Sequence, residues 1–119
     1  MTNAMKASIK HWKDNVKRLK NIDAMGVMIE TNSFTHYWQN KISRTFKPIW
    51  FDSEHCELCN TYWDFNAKPC KRCPLFKARY GCNMKNSPWA KCLNAIGNAN
   101  IIKAAEHMLA TLVKISKTK

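Results

Sequence analysis

Residues 33–46, SFTHYWQNKISRTF, decide the fold class of this 119-residue chain. Phe34, Trp38, Ile42 and Phe46 recur every four residues, the spacing of one helix face. Ser33 suits the cap of such a helix, and Pro48 would stop it. The spacing therefore predicts a helix over 33–46. The aromatic content also suits a strand. Read as a helix, the stretch makes the chain mainly α; a small α+β fold is the alternative. Trp and Phe at this spacing are core residues far more often than a platform for stacking bases.

Working outward, Met5, Ile9, Trp12, Val16 and Leu19 form one stripe of an amphipathic helix on the N-terminal side. Thr2 or Asn3 can cap it, and Gly26 lies beyond its end. Lys6, Lys10, Lys13, Lys17, Arg18 and Lys20 supply its polar surface, either a solvated face or an anion-binding one. VMIE, residues 27–30, reads as a short strand. On the C-terminal side, Ser87 suits a helix cap, Pro88 the first helical position and Gly97 the left-handed residue after the end. A last helix is predicted from about Asn100 to Ile115, with Ile101, Ala105, Met108, Leu112 and Ile115 as its apolar stripe. The basic tail KISKTK is expected to fray. Cys92 falls on the helix before it and reads as a small core residue.

The length predicts one domain over 1–119. It divides into a helical part over 1–50, a zinc-binding segment over 51–86 and helices over 87–119. Twenty Lys and Arg against eight Asp and Glu give a formal charge of +12, which favours acidic partners. Asp52, Glu54, Glu57 and Asp64 fall in a stretch, 51–64, without Lys or Arg. No apolar run approaches the roughly 20 residues that span a bilayer, so no membrane partner is expected. The start, MTNAMKASIKHW, lacks the apolar core of a secretory signal. A reducing cytoplasm is the expected location, and it argues against a disulfide framework for six cysteines.

Five of those cysteines fall in CELCNTYWDFNAKPCKRCPLFKARYGC, residues 56–82. A C-x-x-C turn places two thiolates close enough to share a metal, and two such turns complete a tetrahedral set of four sulfurs. Cys56, Cys59, Cys70 and Cys73 have this arrangement, with ten residues between the pairs. One structural Zn2+ per chain is expected, ahead of an iron–sulfur cluster, free buried thiols or redox roles. PLFKARYG after Cys73 can form about two helical turns, roughly 10 Å long. One zinc, with sulfur at about 2.3 Å, does not easily hold both Cys73 and Cys82 across that span. Cys82 is the alternative ligand if the helix is absent or bends back. Metal binding would supply folding free energy to a segment, 52–86, with little apolar periodicity.

Catalytic readings fit poorly. His55, Glu57, Cys70 and Cys73 imitate the H-x-E…P-C-x-x-C signature of zinc nucleobase deaminases. Only eleven residues separate Glu57 from Pro69, too few for the structure that signature needs between its halves. It would also leave Cys59 without a role. A metal-dependent nuclease needs clustered histidines, and His11, His36, His55 and His107 are scattered. Four thiolates leave no open position for water, so the expectation is a protein that is not an enzyme.

The Cys56-Leu58-Cys59 pair, Cys70-Cys73-Pro74, Cys82 and Ser87-Pro88-Trp89 together resemble a group of short, uncharacterised Cys-rich bacteriophage proteins. The resemblance spans about residues 11–112 and is specific over 56–89. It implies a phage accessory context, host cytoplasm as the location, and Cys82 as an alternative ligand. It implies no activity. Two functions follow as expectations. One is binding of nucleic acid or a nucleoprotein through Lys68, Lys71, Arg72, Lys77, Arg79, Lys85 and Lys91, with Tyr80 and Trp89 able to stack on bases. The other is an inhibitor or adaptor that grips a host protein, with the acidic stretch 51–64 and Trp50, Tyr62 and Trp63 as its contact.

Overall fold

A computed structural model describes residues 3–41, 46–51 and 87–117. Helix α1 spans Asn3–Ala24 and buries the whole predicted stripe, Met5, Ile9, Trp12, Val16 and Leu19, together with Ala4 and Ile22. Gly26 ends it at φ +74°. The Gly26 amide donates to Asp23 O at 2.9 Å and the Val27 amide to Ile22 O at 3.3 Å. These two bonds satisfy helix carbonyls that would otherwise lack partners, and they need the left-handed residue that glycine adopts without strain.

Residues 33–46 are not a helix. Strand β1 spans Ile29–Asn32, β2 Tyr37–Asn40 and β3 Ile49–Trp50, in an antiparallel sheet of order β1-β2-β3. The turn between β1 and β2 begins as a helix would. Asn32 Oδ1 accepts the amides of Phe34 at 3.1 Å and Thr35 at 2.9 Å. The His36 amide then donates to Asn32 O at 2.8 Å, closing one helical turn. His36 stands at φ +62°, which reverses the chain and stops the helix there. Tyr37 and Trp38, good strand formers, then pair with Trp50 and Ile49. The predicted four-residue stripe is therefore broken up. Phe34 is 92 % exposed at the hairpin tip, Trp38 is fully buried, Phe46 is half-buried, and Ile42 lies outside the described residues. The short strand read at 27–30 exists but starts at Ile29, and the part over 1–50 holds α1 and this sheet rather than helices alone.

Helix α2 spans Pro88–Asn94 with Ser87 as its cap, Oγ accepting the Ala90 amide at 3.1 Å, and Pro88 in its first turn, as predicted. Ser87→Ala is expected to cost about 1 kcal/mol of stability, read from denaturant midpoints at unchanged slope. The helix does not end on Gly97. Ala95 closes it in an extended conformation, and Gly97, at φ +89°, opens the next helix by accepting the Ile101 amide at 2.9 Å.

That helix, α3, spans Asn98–Lys117, two residues earlier than predicted and continuing through Lys117 where fraying was expected. Ile101, Ala105, Met108 and Leu112 are buried and Ile115 is half-buried. Asn98 fastens three elements. Its Oδ1 accepts the Ile29 amide at 2.8 Å, and its Nδ2 donates to Val27 O at 2.8 Å and Asp23 Oδ1 at 2.9 Å. The end of α1 thus meets the start of α3, and the two helices run antiparallel. One core joins α1, the sheet, α2 and α3, with Trp38 wedged against Trp12 (centroids 5.9 Å apart) and Phe51 (4.5 Å). The described architecture is a small α+β fold dominated by helix. Of the expected zinc segment 51–86, only Phe51 is described.

Candidate functional site

The predicted ligands Cys56, Cys59, Cys70 and Cys73, the alternative Cys82, and the basic residues Lys68, Lys71, Arg72, Lys77, Arg79 and Lys85 lie outside the described residues. So do His55, Glu57, Tyr62, Trp63 and Tyr80. Among the described residues no three His, Cys, Asp or Glu side chains come together as a metal site. The two chain positions that bracket the cysteine segment are described, and they are fastened to each other. Trp89 Nε1 donates to Phe51 O across a sequence separation of 38 residues. The two rings lie 5.9 Å apart, and His36 packs against both, 6.0 Å from Phe51 and 5.0 Å from Trp89. The Phe51 amide in turn donates to His36 O at 3.0 Å. The folded body thereby holds Phe51 and Trp89, on either side of 52–86, next to each other. Trp89, a candidate for base stacking, is half-buried in this clasp.

A basic surface stands on α1. Lys6, Lys10, Lys13, Lys17 and Lys20 repeat at intervals of 4, 3, 4 and 3, each one residue after a member of the buried stripe. One residue is a rotation of about 100° on a helix, so burying Met5, Ile9, Trp12, Val16 and Leu19 aligns the five lysines along one outer edge. All five are exposed, and they extend over roughly 21 Å. Asp14, four residues after Lys10 and three before Lys17, borders this edge as a helical neighbour of both and is the one acid beside the middle of the row. The same lysines read from the sequence as either a solvated face or an anion-binding one, and their exposure along one edge is compatible with both.

Lys20 Nζ forms an ion pair with Glu106 of α3 at 3.2 Å. Both side chains are about half exposed, so the pair contributes at most about 1 kcal/mol. It shows that the lysine edge of α1 borders α3, whose exposed residues include Lys103, His107, Lys114 and Lys117. The opposite flank of α1 is structural. His11 Nε2 and Asn15 Nδ2 both donate to Trp50 O, at 2.9 and 3.1 Å, and Arg18 donates to Lys47 O at 2.9 Å. These bonds tie β3 to the helix. Trp50, one of the aromatic residues suggested as a protein contact, is half-buried and packs edge-on against Tyr37 at 4.9 Å.

Lys91, the one predicted basic site residue that is described, is exposed on α2 and lines a groove with Lys103 and His107 of α3. Cys92 beside it is fully buried, and burial pushes its thiol up to about 12. A second groove, between β1 and the α2–α3 link, carries Met28 and Ile96, 52 % and 83 % exposed. No helix among the described residues is long and apolar enough to cross a membrane. No protein-family model, curated protein or solved structure matches the chain.

Proposed function

We propose that the chain is a small, basic, zinc-stabilised accessory protein of the phage type that binds nucleic acid or a nucleoprotein complex. The observation that carries this reading is the row of five exposed lysines on α1, reinforced by Lys103, Lys114 and Lys117 on α3. A row of point charges on a rigid helix suits backbone phosphates, which supply most sequence-independent affinity. The described rings of Trp12, Trp38 and Phe51 are buried and cannot stack on bases. On this reading α1 supplies charge, not sequence discrimination. The zinc rests on the donor set. Two C-x-x-C turns offer four thiolates, and a closed set of four is structural rather than catalytic. An electrophoretic shift with duplex and single-stranded probes across a salt series tests the reading. Binding that weakens steeply with salt supports it; no shift at low salt removes it.

A second reading, an inhibitor or adaptor that acts on a host protein, is favoured by the exposed Met28 and Ile96 at the β1 groove. It predicts that a pull-down from host lysate retains a defined protein and that Met28→Ser with Ile96→Ser releases it.

A further inference from the structure

We infer that the groove between α2 and α3 binds the phosphate of a nucleotide, either free or at the end of a strand. The polymer form of this ligand rests on the nucleic-acid reading above. The groove holds about 530 Å³, within the size range of small-molecule sites. Lys91 enters it from α2 and Lys103 and His107 from α3, one helical turn apart on the same side. No carboxylate lines it. Glu106, the one acid on α3, is engaged by Lys20 at 3.2 Å. Three nitrogen-bearing side chains therefore line one groove with no carboxylate among its lining residues, and a phosphoryl group supplies the acceptor oxygens that such donors bind.

The rest of the lining selects a nucleotide over bare phosphate. Asn94 Nδ2 donates to Ala90 O at 3.1 Å and Asn100 Nδ2 to Ile96 O at 3.0 Å. With their amide nitrogens engaged, both side chains offer oxygens as acceptors. Sugar hydroxyls and base amino groups are the donors that match them. Ile96, 83 % exposed at the rim, gives an apolar surface for the flat face of a base. Cations, acceptors and one apolar platform in a single concavity fit the three parts of a nucleotide.

The test titrates the full-length protein with a nucleoside monophosphate, its nucleoside, inorganic phosphate, and an oligonucleotide with and without a 5′-phosphate. The His107 ring and the Asn94 and Asn100 side-chain amides are followed by NMR. The expected result is a shift of all three with the monophosphate and a weaker response to nucleoside or phosphate alone. Lys91→Ala with Lys103→Ala should weaken monophosphate binding roughly tenfold. Lys47→Ala, at an exposed residue in neither the groove lining nor the lysine row, should leave it unchanged. Preference for the 5′-phosphorylated strand over the free monophosphate identifies a strand end as the source; the reverse identifies a free nucleotide. No shift at His107, or equal affinity in the groove variant, overturns the site. If the groove variant still binds oligonucleotide and no monophosphate shift is seen, the site is wrong and the nucleic-acid reading stands. If the monophosphate shifts His107 but no oligonucleotide binds, the site stands and that reading is wrong.

Discussion

Replacing Lys6, Lys10, Lys13 and Lys17 together by glutamate is expected to abolish binding to polyanions near physiological salt. Each lysine that neutralises a duplex phosphate contributes about 0.9 to the log–log salt slope, so four together should flatten it by about 3 to 4. Reversal goes further than neutralisation, because the same edge then repels phosphate. Lys20 is left in place to keep its ion pair with Glu106. The fold should survive. All four side chains are exposed, Glu and Lys have similar helix propensity, and acids near the N-terminus of α1 suit the helix dipole. Fluorescence anisotropy with a labelled duplex across a salt series reads the slope, and circular dichroism checks the fold. A variant that folds and binds with the parent's slope would reduce the lysine row to a solvated edge.

The parts of this fold that were legible in the sequence are those decided by periodicity. The stripes of α1 and α3 appear at helical spacing because the two helices bury those same faces against each other and the sheet. The cap of α2 was equally readable, since Ser87 and Pro88 act on their immediate neighbours. The hairpin was not. Phe34, Trp38 and Phe46 imitate a helix face, but their spacing carries no packing information once His36 reverses the chain. Asn32 and His36 decide that outcome through turn geometry, and a histidine in the left-handed region is uncommon. Asn98 was invisible for another reason. Its partners lie 69, 71 and 75 residues away, and no local pattern announces them. The site divides the same way. The lysine row is a local repeat of α1, whereas the Lys91–Lys103–His107 groove exists only because α2 folds back on α3. The cysteine site was read from spacing alone, and its residues lie outside the described ones.

Losing zinc should have the largest effect on the cysteine segment and a small one on the body. Structural zinc is worth on the order of 10 kcal/mol to zinc-finger peptides, more than a segment with so little apolar periodicity can replace. Phe51 and Trp89 are held by contacts within the body, so α1, the sheet and α3 are expected to keep their packing when the metal is removed. Elemental analysis is expected to find one zinc per chain. Cys59→Ser or Cys70→Ser should lose it and expose 52–86 to protease, while the helical signal largely remains. Native alkylation gives an independent count. Cys92, with its thiol raised to about 12, should stay unreactive at neutral pH. Because that pKa is raised, the stability from keeping the thiol neutral is complete below 9.0 and is lost only as pH climbs towards 12. The ligand set separates a structural metal from a hydrolytic one. With four thiolates, His55→Ala keeps the zinc, and Glu57→Gln changes stability by no more than about 0.5 kcal/mol. In a deaminase-like site His55 would be a ligand and Glu57 the proton carrier, so His55→Ala would empty the site while Cys56→Ser and Cys59→Ser left it filled. That pattern, or a metal-free folded chain with two disulfides, would overturn the thiolate assignment.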